Sequence, residues 1–183
     1  MKRILSLLLC MILITGMQVT PAFAALEWPS NVSVEAEGAV LMDARSGAVI
    51  YGKNLHAVYY PASITKILTA LIVIEHCNLD DVVTFSHDAI YSVEQGSSSA
   101  GMEVGDQMTV RDCLYAMLLK SANEVANALA EHTAGSIQNF AVLMNAKARE
   151  LGCQESHFNN PSGLNDPQHY TSAYDMALIA QAA

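Results

Sequence analysis

Apolar and polar positions along the chain change rhythm several times, and each change predicts an element. Ala39-Val40-Leu41-Met42-Asp43 and Ala48-Val49-Ile50-Tyr51-Gly52-Lys53 are short strand-like runs on either side of Ala44-Arg45-Ser46-Gly47, a turn with glycine at its end, which predicts a β-hairpin. From Ser63 to about His76 the pattern becomes nearly continuous, with Ile67-Leu68-Thr69-Ala70-Leu71-Ile72-Val73-Ile74 following the helix-start residues Pro61 and Ser63. A helix this apolar on all sides is expected to be buried in the middle of the domain. Ser86 to Gly105 is polar and rich in glycine and serine around Gln95–Gly101, and reads as a loop.

Three helices follow. Thr109-Val110-Arg111-Asp112 resembles a capping box and opens a helix to about Leu119; a second runs from about Asn123 to Thr133, closed by Gly135; a third runs from Ser136 to Leu151, stopped by Gly152. Phe158 to Asn165 is dense in turn formers, and Thr171-Ser172-Ala173-Tyr174-Asp175 places an acid three residues after a capping hydroxyl at the start of a helix over Met176–Ala183. That last helix carries no stop signal, so the chain is expected to be cut off inside it.

The first residues look like a secretory signal. Lys2 and Arg3 form a charged start, Ile4 to Ile14 an apolar core, and Ala22-Phe23-Ala24 a cleavage site, giving a signal peptide over 1–24 and an exported mature protein. An uncleaved anchor is disfavoured because the core is short for a span, and a lipoprotein signal because Leu9, not a small residue, precedes Cys10. Losing Lys2 and Arg3 takes the formal charge from −9 to −11. Such acidity argues against nucleic acid as a partner and offers no polybasic patch to anionic lipid. Residues 25–183 suit one domain, or part of a larger one, with no linker or repeat dividing them. Cys77, Cys113 and Cys153 show no zinc spacing and read as small buried residues, one pair of which could be bridged. His56, His76, His87, His132, His157 and His169 have no metal-ligand spacing and read as surface or structural, so neither a metal nor another cofactor is expected.

The chemistry is concentrated at Ser63-Ile64-Thr65-Lys66. Residues three apart on a helix lie side by side, so the Lys66 amine can reach the Ser63 hydroxyl. A serine needs a base within hydrogen-bond reach to be a nucleophile at neutral pH, and dry surroundings lower a lysine pKa towards that role. The start of a helix also favours developing negative charge. The plain alternative is a chance spacing of two common residues. A second polar break, Lys120-Ser121-Ala122-Asn123, separates two of the helices. It reads either as an ordinary turn with Ser121 or Asn123 as N-cap, or as the other wall of a cleft in which Ser121 relays a proton and the Asn123 amide holds a substrate peptide group.

Ser63-x-x-Lys66, Ser121-x-Asn123, and Phe158-x-Asn-Pro-x-Gly-Leu164 followed by His169-x-Thr171-x-Ala173-x-Asp175 together resemble the penicillin-binding D-alanyl-D-alanine carboxypeptidases, low-molecular-mass serine acyl transferases. Pro61–Ala70 and Ala100-Gly101-Met102-x-x-Gly105-Asp106 are similar to that group as well. The resemblance implies an α+β fold of the β-lactamase/DD-peptidase type, an antiparallel sheet with a helical cluster. It implies that Ser63 attacks the penultimate D-alanine carbonyl of a peptidoglycan stem peptide ending in D-Ala-D-Ala, with Lys66 as base, Ser121 passing the proton to the departing D-alanine, and Asn123 orienting the substrate. β-Lactams would acylate Ser63. One backbone donor of the oxyanion hole would be Ser63 N–H, a type of contact worth about 3–4 kcal/mol.

The family's third motif, Lys-Thr-Gly, occurs nowhere in the 183 residues. The resemblance therefore implies that the final strands and any C-terminal membrane anchor lie beyond this chain, that 25–183 is the N-terminal part of the catalytic domain, and that the chain by itself does not turn over substrate. It also implies exposed hairpin edges, an aggregation hazard. Two rivals are weaker. A β-lactamase needs a water-activating acid where this chain has Asn160-Pro161-Ser162-Gly163-Leu164, and a peptidoglycan-binding module would hold the stem peptide without releasing D-alanine.

Overall fold

Two helices meet in the core, the chain's most apolar run and a second one rich in alanine and polar side chains. The computed structural model describes residues 32–183. The signal peptide expected at 1–24, Cys10 included, lies outside the described residues. In chain order the elements are β1 (Ala39–Met42), β2 (Val49–Lys53), β3 (Val58–Tyr59), a 3-10 turn (Ala62–Thr65) running into α1 (Lys66–His76), β4 (Val82–Thr84), α2 (His87–Tyr91), β5 (Gln107–Thr109), α3 (Val110–Leu119), α4 (Asn123–Ala134), α5 (Ile137–Glu150), β6 (Thr171–Ser172) and α6 (Ala173–Ala182). The class is α+β, as expected. Among the described residues, however, the antiparallel strands form three two-stranded sheets, β1-β2, β3-β6 and β4-β5, instead of one.

The hairpin forms where the sequence predicts it. Asp43 Oδ1 accepts from Ser46 N (2.7 Å) and Ser46 Oγ (2.6 Å), and Gly47 takes φ +71°, which a side chain would disfavour. The capping hydroxyls of Thr109 and Ser172 sit as predicted, accepting from the backbone N–H of Asp112 and Asp175 at the starts of α3 and α6, and Ser136, read as the start of a helix, is the N-cap of α5 and accepts from Asn139 N. Gly135 and Gly152, at φ +77° and +89°, follow the ends of α4 and α5.

Two expectations are corrected. The helix buried on every side is α4, not the one that begins at Ser63: every residue from Ala122 to Ala130 is buried, whereas α1 exposes Ile74, Glu75 and His76. Ala126, Ala128 and Ala130 are short enough to let α1, α2, α3 and α5 close around α4, and its buried polar residues find specific partners. The segment read as a loop from Ser86 contains α2, capped by the Ser86 hydroxyl and packed through Ala89 into the core. A polar stripe on α4 holds this segment: Glu131 Oε2 accepts from Ser86 Oγ (2.6 Å), Asn127 Nδ2 donates to Ser92 Oγ (3.1 Å), and Glu124 Oε1 accepts from Ser99 Oγ (2.8 Å). Residues 124, 127 and 131 share one helix face by their spacing.

Leu68, Ile72 and Val73 of α1, Met117 of α3, Val125 and Leu129 of α4, Phe140 and Met144 of α5, with Phe85 and Phe158, form the core. Cys77, Cys113 and Cys153 are all free thiols, so no pair among them is bridged. Burial pushes the Cys113 and Cys153 thiols up to about 12, which keeps them protonated and unreactive. No helix of the described residues is long and apolar enough to cross a membrane.

Candidate acyl-transfer site

Ser63 and Lys66 meet at the junction of the 3-10 turn and α1, where the chain is under local backbone strain. Ala62, immediately before Ser63, has φ +50°, a left-handed conformation that residues with a Cβ seldom adopt. Ser121 sits opposite at φ +57°. Ser63 is exposed, and the first-turn N–H groups around it have no acceptor within the helix.

Lys66 is the most constrained side chain of the site. It is only 2 % exposed, and its Nζ lies 3.2 Å from Ser63 Oγ, 2.8 Å from Asn123 Oδ1 and 2.7 Å from the Ser162 carbonyl. Asn123 Oδ1 and Ser162 O can only accept, so they orient two N–H bonds of the amine. The remaining direction points at Ser63 and carries the lone pair when the amine is neutral. Burial pushes the Lys66 pKa down to about 8, while the negative charge of Glu124 works the other way. Ser121 Oγ donates to Ser63 Oγ at 2.9 Å. The four residues singled out in the sequence, Ser63, Lys66, Ser121 and Asn123, thus form one hydrogen-bonded cluster.

Neither Ser121 nor Asn123 caps α4 with its side chain. The N-cap is Ala122, without a side-chain cap bond, so the turn-and-cap alternative is set aside. Asn123 spends its side-chain oxygen on Lys66 and keeps its NH₂ group for donation.

The segment from Phe158 to Asp175 holds the nucleophile end of α1 from behind. Asn160 Oδ1 accepts from Ser162 N, Ser162 Oγ and Gly163 N (2.7 Å), which folds the turn so that the Ser162 carbonyl faces Lys66. Thr69 Oγ1 donates to the Pro161 carbonyl at 2.7 Å. His169, 2 % exposed, accepts at Nδ1 from Asn159 N, so its Nε2 carries the hydrogen that Thr65 Oγ1 accepts at 2.9 Å. Burial pushes His169 down to about 4, which keeps it neutral. Gly163, at φ +82°, packs so closely that an added Cβ would overlap the Ala62 carbonyl. Behind them, buried Asp175 accepts from Gln154 N, Glu155 N and Ser156 Oγ. In the sequence Gly163 and His169 stand only as motif residues of the family resemblance, and Thr65, Thr69 and the Ser162 carbonyl carry no role of their own. Their hydroxyls and turn residues are common types, and only the long-range fold brings them behind Ser63.

A family profile described as D-alanyl-D-alanine carboxypeptidase matches residues 25–183. Among curated proteins, the chain is 39 % identical over 189 residues to the D-alanyl-D-alanine carboxypeptidase DacF of Bacillus subtilis, covering 99 % of this chain and 47 % of that protein. It is 36 % identical over 169 residues to DacC of Escherichia coli, covering 88 % and 42 %. Among solved structures, penicillin binding protein 6B from Escherichia coli superposes with a TM-score of 0.79 at 32 % identity, covering 86 % of this chain and 52 % of that one. The DacD structure from Francisella tularensis gives 0.77 at 35 % identity, covering 84 % and 38 %. The chain spans about half the length of the curated relatives it matches.

Proposed function

Because the chain belongs to the D-alanyl-D-alanine carboxypeptidase family, we propose that it supplies the nucleophile and base of a serine enzyme that removes the terminal D-alanine from peptidoglycan stem peptides ending in D-Ala-D-Ala. The observation that carries this reading is the Lys66 amine, buried and fixed by two acceptors so that its third direction meets Ser63.

In this reading Ser63 Oγ bonds to the carbonyl carbon of the penultimate D-alanine while its proton passes to neutral Lys66. The tetrahedral intermediate collapses as the carbon–nitrogen bond breaks. The departing D-alanine amine takes a proton from Ser121, which lies 2.9 Å from Ser63 Oγ, and the Lys66 ammonium gives up its proton to restore the Ser121 hydroxyl, since Ser63 Oγ is by then an ester oxygen with no proton to pass. The Asn123 NH₂ donates to a substrate carbonyl, and Ser63 N–H donates to the developing oxyanion. Water then attacks the ester, giving up its proton to Lys66, and the acid and free Ser63 are restored. β-Lactams would follow the first half of this path. The Phe158–Asn165 turn contributes no carboxylate to activate a water, which supports slow release of bound penicillin over a β-lactamase role. The signal sequence read over 1–24 supports action outside the cytoplasm, at the cell wall.

The test is labelled penicillin together with a peptide ending in D-Ala-D-Ala, applied to a polypeptide of the relatives' full length that contains this chain. Covalent labelling at Ser63 and D-alanine release are expected, both abolished by Ser63→Ala. Undiminished trimming by Ser63→Ala would end this reading, and binding of the peptide without release would favour a sensor module.

A further inference from the structure

One buried charge at the site has no task in this chemistry. Glu124 follows Asn123 in the first turn of α4 and is 2 % exposed. Its Oε1 accepts from Ser99 Oγ at 2.8 Å and from Ala100 N at 2.6 Å, and Asn123 N beside it donates to the Ser98 carbonyl at 2.9 Å. Its Oε2 is buried with no hydrogen-bond partner among the described residues. A carboxylate half satisfied in a dry interior costs several kcal/mol unless a positive charge compensates it.

The charged and titratable groups on the elements packed around Lys66 narrow the choice of that compensating charge. His169, ahead of β6, is held neutral by burial. Asp175 in α6 is occupied by Gln154, Glu155 and Ser156. Lys120, at the end of α3, is exposed, and Lys147 of α5 pairs with Glu75 at the far end of α1. Among the described residues this leaves Lys66, as buried as Glu124 and held at Nζ by the side chain of Asn123, the residue before it, as the cation whose charge can act on Glu124 without a direct ion pair.

We propose that Glu124 is a positioning residue of the acyl-transfer site: its carboxylate fixes Ser99 and Ala100 beside the Ser121–Asn123 break, and its charge is the counterweight against which the Lys66 amine takes up and releases its proton. The inference rests on Lys66 acting as the base of the proposed function. The carboxylate thereby makes the base strong enough to accept the Ser63 proton, and it ties that strength to the placement of the 97–101 segment. Without the charge, Lys66 would be neutral over more of the pH range and a weaker base. The burial and direction of influence agree with this, since Glu124 is what raises Lys66 against its desolvation.

The experiment is a pH titration of the Lys66 ε-carbon by NMR in protein labelled at lysine, with Lys66→Arg used only to assign the signal, and with amide exchange at Ala100 followed in parallel. Glu124→Gln keeps an oxygen for Ser99 and Ala100 but loses the charge. The Lys66 midpoint is expected to fall by about one pH unit, with Ala100 still protected. Glu124→Asp keeps the charge and is expected to hold the midpoint nearer the wild-type value, which also serves if the glutamine variant does not fold. An unchanged midpoint in Glu124→Gln, or a fall in Glu124→Asp as large as in Glu124→Gln, would overturn the proposal and leave Glu124 a loop anchor. The titration needs no acyl transfer, so a wild type that fails to capture penicillin while its Lys66 midpoint still responds to Glu124 counts against the proposed function alone.

Discussion

Burial acts on two basic side chains near the start of α1, and each has its own pH signature. Lys66 is pushed down to about 8, so the neutral amine that accepts the Ser63 proton becomes abundant as pH rises through that value. The rate of Ser63 acylation by penicillin should therefore climb about tenfold per unit below pH 8 and level off above it, read from labelling rates across a buffer series. A rate independent of pH on both sides of that midpoint would remove Lys66 from the role of base. His169 is pushed from 6.5 to about 4. Between these values the unfolded chain binds a proton that the native imidazole refuses, so this contribution is complete above pH 6.5 and lost as pH falls towards 4. It amounts to something on the order of 3 kcal/mol. Urea midpoints measured over that window should fall steeply for the wild type and more gently for His169→Gln; parallel slopes would assign the acid sensitivity elsewhere.

At the scale of elements, the turn from Asn160 to Leu164 acts as a template for the end of α1 that carries the nucleophile. Gly163 is its closest point of approach: φ +82° and contact with the Ala62 carbonyl leave no room for a side chain. Gly163→Ala should destabilise the fold by roughly 2–4 kcal/mol and slow penicillin capture beyond the loss of folded protein, because relieving the clash moves Ala62 and therefore Ser63. Denaturant unfolding and labelling at Ser63 measure the two effects. A variant as stable and reactive as wild type would show that the turn does not set the geometry of Ser63. This template was poorly legible in the sequence. Ser63 and Lys66 could be paired in advance because their contact is local, three residues along one helix, and the caps at Thr109, Ser136 and Ser172 are local for the same reason. The Ser162 carbonyl reaches Lys66 across 96 positions and His169 reaches Thr65 across 104, so no periodicity reports them. The two-residue strands β3 and β6 exist only because they meet each other. The burial of α4 was hidden by its polar stripe, whose partners lie in the Ser86–Ala100 segment that turn-rich composition presented as a loop.

Over the whole molecule, the best-formed apolar surface lies outside the core and borders the site. A groove of about 690 Å³ runs between β1, the Tyr59–Ile64 stretch and α6, lined by Val40, Met42, Tyr60, Ile64, Met176 and Ala180 among others. Leu41 on β1 and Tyr60 are 54 % and 66 % exposed, and among the described residues β1 pairs only with β2. An uncovered strand edge beside apolar side chains favours association between copies of a chain. The formal charge of −9 opposes it, because like-charged molecules repel until salt screens them. These two forces predict a particular salt dependence: sedimentation of the purified chain should show larger species as sodium chloride rises from about 20 mM to about 300 mM, where the screening length shrinks below the width of a strand pair. Leu41→Lys puts a charge into the groove wall and on the open edge, and should keep the chain monomeric throughout. If association weakens with added salt, charge pairing and not this apolar edge brings the copies together.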